Sequence, residues 1–189
     1  MVLVHVTGMS GTGKSTVLAE LARRGHRVVD TDVGGWIEEG PGPDGAGRER
    51  RWNEERLSAT LAEHARSGTA LFVAGTVWNQ GRFRRRFHHV VLLSAPLATI
   101  LRRVAHRHDN PYGRTVADRR RIAADTARVE PLLRANATAE IDTRAPVAEV
   151  VAALLSLTGL ATTPPARPPA DHRPEHPRCG PGLPSLGGE

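Results

Sequence analysis

Short uninterrupted apolar runs alternate with longer amphipathic stretches over residues 1–160. Val2–Thr7, Thr69–Ala74 and His89–Leu93 are continuous enough to predict strands buried on both faces. Arg27–Asp30 and Thr138–Asp142 predict two shorter strands. Between them the period lengthens. Lys14–Arg24 predicts a helix stopped by Gly25, and Arg48–Ser67 another, with Trp52, Leu57, Leu61 and Ala65 near i, i+4 spacing. Pro96–His106, Val116–Ala135 and Pro146–Leu157 complete the helical segments, two of them opening on a proline suited to the first turn. Strands separated by helices imply an α/β fold, a five-stranded parallel sheet in a three-layer α/β/α arrangement. Gly40–Gly47 reads as a mobile loop, and Ala161–Glu189, rich in proline and glycine and without periodicity, as a disordered tail.

Composition adds compartment and partners. The 189 residues suit one domain with a core of Leu, Val, Ile and Ala, since aromatic residues make up only 4%. The single cysteine, Cys179, rules out an internal disulfide and suits a reducing cytoplasm. Met1–Thr7 has neither the basic nor the long apolar region of a signal peptide, and no apolar run reaches membrane-spanning length. The net charge of +6 invites a nucleic-acid reading. No strip of basic and aromatic residues of the RNA-binding kind accompanies it, and Arg82, Arg84, Arg85 and Arg86 read as a surface turn.

Of the 26 basic residues one is lysine, Lys14, and it lies in Gly8-Met9-Ser10-Gly11-Thr12-Gly13-Lys14-Ser15. This is the G-x-x-x-x-G-K-[ST] phosphate loop, and it follows a predicted strand and opens a predicted helix. Gly8, Ser10, Gly11, Thr12 and Gly13 would curl around an anion at the helix N-terminus. Lys14 would bridge the β- and γ-phosphates of a nucleotide. Ser15 would ligate Mg²⁺, with Thr16 near the α-phosphate. No acid ends the central strands at Ala74-Gly75-Thr76 or Ser94-Ala95-Pro96. Two carboxylates instead end the second strand, in Val29-Asp30-Thr31-Asp32, at the sheet edge shared with the phosphate loop. One can orient metal-bound water, and the other can accept a proton from an attacking hydroxyl. His106-x-His108-Asp109 lacks a fourth ligand and is not read as a metal site.

These motifs resemble the shikimate kinase and gluconate kinase branch of the small P-loop kinases, over about residues 1–157. The resemblance implies an ATP- and Mg²⁺-dependent kinase of a small-molecule acceptor, monomeric or weakly associating. Asp30-Thr31-Asp32 followed by Ile37-Glu38 matches the family's Asp-x-Asp and Ile-Glu elements, with extra residues between. By resemblance Asp30 joins the Mg²⁺ shell and Asp32 is the base on the acceptor hydroxyl. An arginine on the following helix grips the acceptor's acid group; Arg48, Arg50 and Arg51 are candidates and Arg51 is assigned. A lid at about 106–116 brings Arg107 and Arg114 to the transferring phosphoryl, and Arg144, in the turn after the last strand, stacks on adenine. The family's triple-glycine turn is replaced by Gly75-Thr76-Val77-Trp78-Asn79-Gln80. The acceptor is therefore expected to differ from shikimate and to lie between Asp32 and a wall of Gly75, Trp78, Asn79 and Gln80. A nucleoside monophosphate kinase and an ATP-binding regulatory module are the alternatives, with an RNA-binding NTPase behind them.

Overall fold

The computed structural model describes residues 2–160 apart from 43, 44, 46, 108 and 109. The tail from Ala161 and the His108–Asp109 part of the lid lie outside the described residues.

Five parallel strands form the sheet, in the order β2-β5-β1-β6-β7. They are β1 (Val2–Thr7), β2 (Arg27–Asp30), β5 (Ala70–Ala74), β6 (His89–Ser94) and β7 (Ala139–Asp142). The three central strands are the three apolar runs, and nearly every residue in them is buried. Alternation along them divides the core between two faces. On one face Val4, Val6, Phe72 and Val91 pack with Leu18 and Leu21 of α1 (Lys14–Arg23) and Val151 and Leu154 of α5 (Val147–Leu157). On the other, Leu3, Leu71, Val73 and Val90 meet Leu57 and Leu61 of α2 (Glu54–Ala65) together with Trp52, Phe83 and Phe87. Two further helices, α3 (Leu97–His106) and α4 (Val116–Asn136), join through Ile100, Val104 and Ile122.

One element departs from the sequence pattern. The stretch expected to begin a helix at Arg48 is a strand, β4 (Arg48–Trp52), paired antiparallel with β3 (Ile37–Pro41) as a separate two-stranded sheet. Between the two strands the Gly42 amide donates to the Gly47 carbonyl at 3.2 Å and the Gly45 amide to the Gly42 carbonyl at 3.1 Å, so the expected loop is the end of a hairpin. The register sets Glu38 opposite Arg51 and Glu39 opposite Arg50. The helix starts only after Asn53, whose side chain caps it by accepting from the Arg56 amide at 2.8 Å, with Glu54 and Glu55 in the first turn. Beyond β5, Trp78–Arg86 winds as a 3₁₀ segment. Three of its four arginines are engaged locally. Arg82 pairs with Glu54 at 2.8 Å, Arg84 donates to the Asn136 carbonyl and Arg86 to that of Ser58. No helix among the described residues is long and apolar enough to cross a membrane.

Candidate active site

Residues at the carboxyl ends of β1, β2, β5 and β7 border a cleft of about 1130 Å³. The loop Gly8–Gly13 forms its floor and hands over directly to α1. Packing fixes the loop's path. Gly11 has φ +87°, and a Cβ there would come within 2.7 Å of Val104 Cγ1 on α3, so only glycine lets the loop lie this close. Thr12 is fully buried, and both its amide (3.2 Å) and its hydroxyl (2.8 Å) donate to the Met9 carbonyl. Its side chain therefore braces the loop. Ser15 and Thr16, which follow Lys14, are exposed in the cleft wall.

Lys14 Nζ donates to the carbonyls of Gly8 (2.7 Å) and Met9 (3.3 Å). Burial lowers its pKa from the usual lysine range. Asp32 and then Asp30 oppose that shift, while Arg107 and Arg50 add to it. Five charges from four parts of the chain thus act on one another across the cleft.

The Asp-Thr-Asp segment spans the end of β2 and the turn after it. Thr31 is 1% exposed, while Asp30 and Asp32 both line the cleft. Asp30 Oδ1 accepts from the Asp32 amide at 3.0 Å, which fixes the first carboxylate against the second. Asp32 in turn pairs with Arg50 at 3.2 Å. The donors available to a cation are oxygens, the Ser15 hydroxyl and the Asp30 carboxylate. That set fits Mg²⁺, which takes one or two protein oxygens and leaves its remaining positions to phosphate and water. Among the described residues no cluster of three or more His, Cys, Asp or Glu forms a cage for a metal.

On the opposite wall, Arg107 ends α3. Its Nη2 donates to the Tyr112 carbonyl at 2.6 Å and reaches Ser10 Oγ at 3.4 Å, and its buried Nε has no hydrogen-bond partner among the described residues. An unsatisfied guanidinium N–H beside a phosphate loop suits an arriving anion. Arg103, not assigned from sequence, also lines the cleft and is held by Thr143 through both its hydroxyl (2.9 Å) and its carbonyl (2.6 Å). Thr76, His106 and Thr143 are further wall residues to which the sequence reading gave no role in the site.

Several assigned residues do not reach the cleft wall. Arg51 pairs with Glu38 at 3.1 Å and lines a separate small cavity, whereas Arg48 and Arg50 line the cleft. Asn79 is 2% exposed, with its amide spent on the backbone of Trp52 and on Glu54. Trp78 is 41% exposed on the outside, under the Arg82 guanidinium. Gln80 is turned toward Thr7, and Gly75 is buried against Thr31. Arg144 is tied to Asp142 at 2.6 Å, although its neighbours Thr143 and Ala145 line the cleft. Arg114 is exposed and donates to the Arg107 carbonyl at 3.2 Å.

Residues 4–126 match the family described as AAA domain. The chain belongs to that family. No curated protein matches it in sequence. Among solved structures, the shikimate kinase of Acinetobacter baumannii, determined with shikimate, is similar at a TM-score of 0.55 and 19% identity, over 83% of this chain and 92% of that one. The shikimate kinase of Bacteroides thetaiotaomicron gives 0.55 and 18%, over 84% and 99%. A sugar kinase from Janibacter sp. gives 0.54 and 19%, over 85% and 96%. The parallel sheet flanked by helices is the fold of these kinases.

Proposed function

We propose that this protein is an ATP- and Mg²⁺-dependent phosphotransferase that phosphorylates a hydroxyl of a small polar acceptor. One observation carries the reading: Asp30 and Asp32, at the end of β2 and in the turn after it, face the same cleft as Lys14. A hydrolase or switch needs a carboxylate for its metal. A second one beside it suits an acceptor that must lose a proton.

In this reading Lys14 and the loop amides hold the β- and γ-phosphates. Ser15 and Asp30 hold Mg²⁺, which supplies charge neutralisation at the phosphates when bound. Asp32 orients the acceptor hydroxyl and takes its proton as the new oxygen–phosphorus bond forms and the bond to the β-phosphate oxygen breaks. Arg107 neutralises the transferring phosphoryl. Catalysis is mainly positioning and electrostatics. Around Asp32 the wall is Val33, Arg48, Glu49 and Arg50, which offers charge and no aromatic platform for a base. That favours a charged or hydroxylated acceptor over a nucleoside monophosphate.

The test is ADP release with MgATP across hydroxy acids, sugars, nucleosides, nucleotides and aminoglycoside-like metabolites, with Lys14→Ala as blank. Acceptor-dependent release above the blank from a hydroxylated compound is expected. ATP binding with no acceptor-dependent release would instead fit a regulatory module. Release driven only by nucleoside monophosphates would reassign the acceptor.

A further inference from the structure

The segment that carries the two carboxylates is held from behind by the hairpin. Thr31, between them, has both its amide and its hydroxyl engaged. Its amide (2.9 Å) and its hydroxyl (2.7 Å) both donate to the Ala74 carbonyl. The same hydroxyl accepts from Trp52 Nε1 at 2.9 Å. The contact is close on its third side as well. A Cβ on Gly75 would overlap Thr31 Oγ1 and stand 3.3 Å from Trp52 Nε1.

Trp52 is the last residue of β4 and is fully buried. Asn79 clamps its backbone at two points, accepting from its amide at 2.9 Å and donating to its carbonyl at 3.1 Å. Its ring stands edge-on to those of His5 (5.1 Å) and Phe83 (5.7 Å). Alternation along β4 puts Arg48 and Arg50 on the same side as Trp52. The strand therefore meets the Asp-Thr-Asp segment twice: Arg50 on Asp32 in the open, and Trp52 on Thr31 in the core. A surface ion pair holds geometry weakly, whereas a buried hydroxyl with all its bonds made holds it firmly.

Resting on the proposed role of Asp30 at the metal, we propose that Thr31 and Trp52 are a positioning pair. Their hydrogen bond fixes the Asp30 carboxylate for Mg²⁺ and makes the seating of the hairpin part of the metal site. Neither residue touches nucleotide or metal, so their effect passes through the backbone of Asp30 and Asp32.

The experiment is calorimetric titration of the full chain with ATP, once in EDTA and once with Mg²⁺. Its readout is the factor by which Mg²⁺ tightens binding. Thr31→Val removes the hydroxyl, Thr31→Ser keeps it, and Trp52→Phe keeps a buried ring without the N–H. Thr31→Val and Trp52→Phe are each expected to cut the Mg²⁺ factor about tenfold, the scale at which supports behind a metal ligand act, while affinity in EDTA stays within about twofold. Thr31→Ser should recover most of the factor. The double variant should fall no further than either single one, as residues sharing one bond do. A folded Thr31→Val or Trp52→Phe variant with the native Mg²⁺ factor overturns the pairing and leaves the kinase reading intact. Equal losses with and without Mg²⁺ overturn it too, because they mark a general disturbance. A native protein whose ATP affinity ignores Mg²⁺ removes the proposed function and this inference together.

Discussion

His5 sits at the centre of the sheet and makes stability depend on pH in a direction that can be worked out. Its ring is 3% exposed, packed between Trp52 and Phe87, with Nε2 at 3.0 Å from the Gly75 carbonyl. Burial lowers its pKa from 6.5 to about 4; the bond to Gly75 opposes the shift, and the charges of Lys14 and Arg84 add to it. In the folded protein the ring is therefore neutral and donates to Gly75. The unfolded chain binds a proton near pH 6.5, while the native state binds it only near pH 4. Between those values the unfolded state holds more protons, so stability falls as pH falls. The contribution is complete above pH 6.5 and lost by about pH 4. At about 1.4 kcal/mol per pKa unit the loss is roughly 3 kcal/mol, a large share of the ~5–15 kcal/mol available to a domain. Urea unfolding of the native protein and of His5→Gln at pH 7 and pH 4.5 measures it. Glutamine retains an N–H for Gly75 and does not titrate. His5→Gln should be the less stable at pH 7, and its deficit should shrink by about 2–3 kcal/mol at pH 4.5. Carboxylates titrate alike in both proteins and cancel in the difference. A deficit that is the same at both pH values would refute the reasoning.

With an acceptor in hand, Asp32→Asn should lower acceptor-dependent ADP release by about 10²-fold or more while ATP affinity by calorimetry is retained, as loss of a general base requires. Arg107→Ala should cost ~10³-fold in the same assay if the side chain neutralises the transferring phosphoryl. Gly75→Ala should destabilise the protein by about 1–3 kcal/mol in urea, because its methyl group meets the buried Thr31 hydroxyl. Arg50→Ala should raise the KM for an acidic acceptor, whereas Arg51→Ala, which removes a partner of Glu38, should change it by less than about twofold, as exposed ion pairs predict.

The parts of this protein that were legible in the sequence are those where local signal and tertiary role coincide. Val2–Thr7 is apolar because both faces of β1 are covered, and the phosphate loop is a contiguous motif whose spacing is its geometry. The hairpin carries no such signal. Arg48-Glu49-Arg50-Arg51-Trp52 has one buried residue in five, and cross-strand pairing of charges takes the place of an apolar stripe. Asn79 was unreadable for a related reason. An asparagine after a strand looks available for a ligand, and only the position of Trp52, 27 residues earlier in the chain, shows its amide to be engaged.

The choice among the three arginines shows how the period decides which side chains line the cleft. On a helix, positions 48, 51 and 52 lie on one side, so Arg51 would share a face with the buried Trp52. On a strand the period is two, and 48, 50 and 52 fall together. Trp52 is buried in either case and fixes which side faces the protein. That side carries Arg48 and Arg50 to the cleft, where Glu49 between them also reaches the wall, and Arg51 is left with Glu38 over the other cavity. At Asp30-Thr31-Asp32, where β2 gives way to a turn, one buried threonine lies between two carboxylates that line the cleft. The ends of β2 and β4 thus meet at the Trp52–Thr31 bond, and the residues beside it, Asp30, Asp32 and Arg50, are the charges brought to the cleft.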